Sequence, residues 1–161
     1  MKLFVDEDTG AGLGRALAAV GVQARYVAKG MPIVPGTKDE RWIPWAGREG
    51  SIVLSRNLGI LEAEAQRSLL IVCGVGIVFL PQPLSSFNLL RLTVKKWEWL
   101  ETVDATVPRP FAFRMAPSGR TSHLQFPRTS QRALDGAAAL AGTPQVLHSS
   151  IHWAPTPRVK K

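Results

Sequence analysis

A single cysteine, a single tyrosine and the absence of any long apolar run set the first limits on this chain. With Cys73 alone, no disulfide framework forms within one chain, and zinc sites built from clustered Cys and His are excluded. Cys73 sits in the apolar stretch Leu69–Leu80 and reads as a small buried hydrophobe rather than a reactive thiol. That stretch is interrupted by Gly74 and Gly76 and falls well short of the roughly 20 residues a membrane helix needs, so no membrane partner is expected. Asp6, Glu7 and Asp8 follow the opening Met1–Val5 directly and leave no room for the apolar segment of a signal peptide. A cytoplasmic, reducing setting fits these absences.

Acidic residues are also scarce in one region. Residues 106–161 hold eight Lys and Arg but only Asp135, whereas residues 1–105 hold twelve Lys and Arg against eleven Asp and Glu. The net charge of +8 is therefore a property of the C-terminal third. Such a segment attracts polyanions without specificity. Arg120, Arg128 and Arg132 are its candidate RNA-binding residues, and a solubilising tail is the plainer reading.

What is present is an ordinary globular composition, 45% hydrophobic and 20% charged over 161 residues, which implies one domain with a normal core. Lys2–Val5 is strand-like, and Leu13–Val20 has helical spacing closed by Gly21. Val22–Val27 alternates as a strand does. Met31–Gly36 is a Pro/Gly loop, and Lys38–Arg48 is helical with Pro44 expected to kink or shorten it. Ser51–Leu54 and Val75–Leu80 are buried strands, with helices expected over about 60–72 and 84–103. Phe111–Arg114 and Thr121–Gln125 flank a turn at Pro117-Ser118-Gly119-Arg120. The alternation implies an α/β domain over residues 1–125, with a mostly parallel sheet covered by helices on both faces. From residue 126 the basic, Pro/Ser/Ala-rich chain is expected to be poorly ordered.

In open parallel sheets, sites form beyond the carboxyl ends of strands. Asp6-Glu7-Asp8 and Ser55-Arg56-Asn57 occupy two such ends. Adjacent acids held close in space oppose folding unless a counter-charge relieves them, and a hard divalent cation does so. Strand alternation would put Asp6 and Asp8 on one side and Glu7 on the other. Glu7 and Asp8 also suit the start of a helix as capping charges, as does Asp39-Glu40. The glycines of Gly10-Ala11-Gly12-Leu13-Gly14 do not have dinucleotide-binding spacing and read as a loose entry to the first helix. Trp42 and Trp45 read as packing residues. Trp97 and Trp99 cannot share one helix face, which suggests one exposed tryptophan or a subunit contact. His148 and His152 read as loop residues, not zinc ligands.

Taken together, Val5-Asp6-Glu7-Asp8, Thr37-Lys38-Asp39-Glu40-Arg41-Trp42, Ala46-Gly47-Arg48-Glu49-Gly50 and Ile52-Val53-Leu54-Ser55-Arg56-Asn57 resemble the PIN-like domain. The chain is most similar to the short PIN-like proteins related to VapC toxins of toxin–antitoxin pairs. Arg109-Pro110-Phe111 and the hairpin also fit, so the likeness covers about residues 1–125. The resemblance implies a three-layer fold and a Mg²⁺- or Mn²⁺-dependent endoribonuclease, neutralised by an antitoxin and capable of homodimerising. It implies metal binding by Asp6 and Asp39, a phosphate-proximal Ser55, and Asn57 at the position of the family's last Asp. Glu7 and Glu40 would be supporting or alternate ligands. Arg56 would contact phosphate, or pair with Asp6 in the metal's place. Asn57 departs from the pattern because an amide brings no negative charge, which leaves a weakened nuclease or a binding module as the alternative.

Overall fold

In the computed structural model, which describes residues 1–142, the N-terminal segment Leu3–Val5 forms the first strand, β1, and all three of its residues are buried. A short 3-10 turn over Glu7–Thr9 leads to α1 (Ala11–Ala19) and β2 (Ala24–Tyr26). Next come α2 (Asp39–Glu49), β3 (Ile52–Ser55), α3 (Gly59–Glu62), α4 (Glu64–Val72) and β4 (Gly76–Phe79). The chain continues through α5 (Ser86–Lys95), α6 (Trp97–Thr106), the hairpin β5 (Phe111–Met115) and β6 (Thr121–Leu124), and α7 (Gln131–Gly142). Among the described residues no helix is long and apolar enough to cross a membrane.

The strands form one six-stranded sheet in the order β2-β1-β3-β4-β5-β6. All pairings are parallel except β5 with β6. The central strands β3 and β4 are buried at every residue, as expected when both faces are covered. One face carries Phe4, Val53, Ile77, Phe79 and Ala112 against α2 and α4, with α7 outside them. The other carries Leu3, Val5, Ile52, Leu54 and Val78 against α1, α5 and α6. The expected mixed three-layer α/β architecture is present. The chain leaves β1 towards β2 and crosses back to β3 on β1's other side, so the sheet changes winding direction between β1 and β3. Ligand sites of such sheets form at that place.

Several boundaries differ from the expectation. The helix expected over about 60–72 is broken at Ala63, which is extended (φ −71°, ψ 120°). The break frees the carbonyls of Leu61 and Glu62, and both accept from the buried Arg67 guanidinium. The helix expected over 84–103 divides at Lys96 and runs on to Thr106. α2 continues through Pro44 and stops at Gly50, whose left-handed φ of +64° suits a helix C-terminus. Gly12 and Gly14 are not a loose entry but contact points: a Cβ at Gly14 would collide with Tyr26, and one at Gly12 would lie 2.8 Å from Ser86 Oγ.

The stretch expected to be disordered from residue 126 is folded as far as residue 142. Ala137 of α7 is buried in the core beside α4. The segment leading into α7 is held by Arg67, which donates to the Arg128 carbonyl (2.9 Å) and the Thr129 hydroxyl (2.9 Å). Trp97 and Trp99 are both half-buried against the second core, and Trp99 meets Phe113 edge-on at 5.3 Å. That contact removes the exposed-tryptophan ground for a dimer. Cys73 is half-buried rather than fully enclosed, and burial raises its pKa. His148 and His152 lie outside the described residues.

Candidate active site

Asp6 follows the last residue of β1 and continues its ladder, donating its N–H to the Leu54 carbonyl at 3.0 Å. Its side chain is 6% exposed, low enough that its charge needs support from the protein. One oxygen, Oδ1, accepts from the Glu7 N–H at 2.6 Å and caps the 3-10 turn. The other, Oδ2, accepts from the Ser55 hydroxyl at 2.7 Å. Ser55 Oγ in turn accepts from the Asn57 N–H at 3.0 Å, which fixes the direction in which its proton points. The expected meeting of the two strand ends is therefore a direct hydrogen-bonded contact.

The electrostatics of Asp6 are dominated by burial, which pushes its carboxyl up to about 6. The hydrogen bonds from Ser55 and Glu7 oppose that rise, and the charges of Asp8 and Asp39 add to it. Asp39, the first residue of α2, is thus near enough for its charge to be felt at Asp6. The Trp42 indole, one helical turn on, donates to Asp39 Oδ1 at 2.8 Å. Asp39 Oδ2 carries no hydrogen bond among the described residues, and the side chain is half-buried.

The other candidates have different placements. Alternation does not extend to Asp8, because the chain leaves the strand at Asp6 and turns. Asp8 is exposed and contributes its carbonyl to Arg56. Glu7 reaches the Pro/Gly loop, where Oε2 accepts from the Gly36 N–H at 3.0 Å. Glu40 follows Asp39 on α2 and is half-buried. Arg56 does not pair with Asp6. Its Nε and Nη2 donate to the Asp8 carbonyl (3.0 and 2.8 Å), and Nη1 reaches the Leu84 carbonyl at 3.4 Å. Asn57 is exposed, and its amide oxygen accepts from the Gly59 N–H at 3.0 Å as a local turn into α3. Arg128 and Arg132 are exposed in the approach to α7 and its first turn, whereas Arg120 is on the β5–β6 turn. Thr9 was not foreseen. It is buried and donates to the Leu54 carbonyl at 3.2 Å, tying the turn below Asp6 to β3.

A family model described as a PIN-like domain matches residues 1–82, half of the chain. The chain belongs to the PIN-like domain family. Comparison with curated proteins and with solved structures gave no match. The PIN-like match covers β1 to the end of β4 and includes both strand ends and α2. It supports a nuclease-type module, and PIN domains generally act with divalent metal ions and RNA.

The PIN-like donor set fits a hard cation held lightly. The side chains converging here offer oxygen only, and the charges of Asp8 and Asp39 add to the burial that raises the pKa of Asp6. Among the described residues no group of three or more His, Cys, Asp and Glu is placed to hold a metal. Two carboxylates suffice for an ion that keeps much of its water and takes further oxygens from phosphate.

Proposed function

We propose that the chain is a divalent-metal-dependent endoribonuclease, the toxin of a toxin–antitoxin pair, acting at the Asp6 end of the sheet with Mg²⁺ or Mn²⁺. The observation that carries this reading is Asp6 itself: a buried carboxylate at the winding reversal, under the charges of Asp8 and Asp39. Asp6 and Asp39 would hold the ion, which when bound supplies an activated water and neutralises charge on the phosphodiester. Ser55 and the Glu7 N–H fix the Asp6 carboxylate, and the Trp42 indole fixes that of Asp39. A cognate antitoxin is the expected protein partner, and the cytoplasm the expected location.

Cleavage of a labelled structured RNA in Mn²⁺ tests the proposal. Asp6→Asn and Asp39→Asn should each lower the rate by about 100-fold or more, since even outer-shell changes around a bound metal cost ~10–100-fold. Ser55→Ala should cost about 10-fold on the same ground. Wild-type rates in the Asp6 variant would reject the assignment.

Asn57 favours a second reading, a catalytically weak PIN-like module that binds nucleic acid or a partner protein. The side chain is neutral, and its oxygen is already engaged by the Gly59 N–H. Melting temperature separates the two, because an ion bound by the folded state raises it by mass action. A rise with millimolar Mn²⁺ supports the nuclease, and no rise supports the module.

A further inference from the structure

A cleft of about 660 Å³ opens at the carboxyl ends of β3, β4 and β5, beside the acidic site. That volume is within the range of ordinary ligand sites. Arg56, Gln82, Arg114 and Arg120 are on its walls, and no Asp or Glu lines it. Arg56 is occupied in bracing Asp8 and Leu84. The guanidinium groups of Arg114 and Arg120 are exposed and, among the described residues, have neither a hydrogen bond nor an ion pair. A concave surface with uncompensated cations and no acid concentrates anions.

The strand register connects this cleft to the acids. Val5 is opposite Leu54, which brings Asp6 level with Ser55. Ser55 is opposite Phe79, Phe79 opposite Arg114, and Arg114 opposite Ser122. Side chains opposite one another in a sheet share a face. The last row of the sheet therefore runs acid, hydroxyl, aromatic, guanidinium, hydroxyl, with Ser55 and Arg114 two strands or ~10 Å apart. Arg120 faces the same cleft from the hairpin turn.

We infer that this cleft binds the sugar–phosphate backbone of a single RNA strand beside the segment at Asp6, with Arg114 and Arg120 each pairing with a phosphate. The inference rests on the nuclease reading for its choice of substrate. About half of the cleft's lining, Arg114 and Arg120 included, lies beyond the segment that matches the PIN-like model.

Binding of a fluorescein-labelled single-stranded RNA to the full chain in EDTA, followed across a salt series, tests it without cleavage. Each phosphate contact to a single strand contributes ~0.7 to the slope of log K against log salt. Arg114→Gln with Arg120→Gln should lower the slope by about 1.4 and weaken binding about 20-fold at 0.1 M salt. Arg15→Gln with Arg48→Gln removes equal charge elsewhere and should leave the slope unchanged. An unchanged slope in the cleft variant, or an equal fall in the control, overturns the inference. So does displacement of the RNA by polyglutamate of equal charge as readily as by unlabelled RNA, which would assign the cleft to an acidic protein segment. If the double variant does not fold, Arg120→Gln alone, on the exposed turn, should lower the slope by about 0.7. Because no metal is present, failure here is distinct from failure of the Asp6 variant to lose cleavage.

Discussion

Replacing Asp6 by Asn should make the protein more stable at neutral pH and no more stable in acid. The carboxyl titrates at about 6 in the folded chain, against an ordinary value of 3.8. At ~1.4 kcal/mol per pH unit, its charged form costs about 3 kcal/mol on folding. The sign follows from linkage. The folded chain holds the proton more tightly than the unfolded chain, so the group's favourable contribution is complete below 3.8 and is lost as pH rises through about 6. An asparagine has the same shape and no charge to bury. Its oxygen can keep the Glu7 N–H, but its NH₂ then faces Ser55 and strands that hydroxyl's proton, a loss of about 1 kcal/mol. The net gain above pH 7 is about 2 kcal/mol, or about 4–8 °C in melting temperature for a chain of this size. Thermal unfolding in metal-free buffer between about pH 4 and pH 8 checks this, and near pH 4 the variant should melt slightly below the parent. A variant no more stable than the parent at pH 8, or a difference between the two that does not change with pH, would refute the argument. With Mn²⁺ the parent should recover stability and the variant should not.

Two further outcomes follow from polar groups elsewhere in the fold. Ser51→Ala removes a buried hydroxyl that has no hydrogen-bond partner among the described residues and should raise stability by about 1 kcal/mol in urea unfolding. Arg67→Ala should lower stability by about 3 kcal/mol or more, since four buried or half-buried hydrogen bonds lose their donor. Limited proteolysis should then cut near residues 127–130 before anywhere in the sheet.

The strands, and the placing of Asp6 and Ser55 at two strand ends, were legible in the sequence for one physical reason. A parallel strand covered on both faces is an unbroken apolar run, and it stops where the first polar side chain meets the cleft, at Asp6 and at Ser55. The hairpin was legible because Pro117 to Gly119 leave the chain few other conformations, and Gly119 takes a φ of +88°. The divisions at Ala63 and Lys96 were not legible, because neither residue is a helix breaker and the first depends on carbonyls drawn off by Arg67. α7 was missed because its inward face is thin, Ala133, Leu134 and Ala137, and becomes a helix surface only with α4 beneath it. The turn at Glu7–Thr9 was not resolved in the sequence, where strand alternation and helix capping both suited Glu7 and Asp8. Arg114 could not be tied to the acids from sequence, since only the register of three successive strand pairs puts it in line with Ser55.

Arg67 has a consequence for the length of the fold. A guanidinium stays protonated at any pH a protein survives, so this position holds a permanent cation in the interior, 5% exposed. Among the described residues no carboxylate forms an ion pair with it, although the charge of Glu64 is felt there; its hydrogen bonds go to carbonyl and hydroxyl oxygens, half of them supplied by residues 128 and 129. A relative ending after the hairpin would have to give up the arginine as well, and one that kept the arginine would have to supply substitute oxygens. Across relatives, position 67 and the segment entering α7 should therefore be gained and lost as a unit.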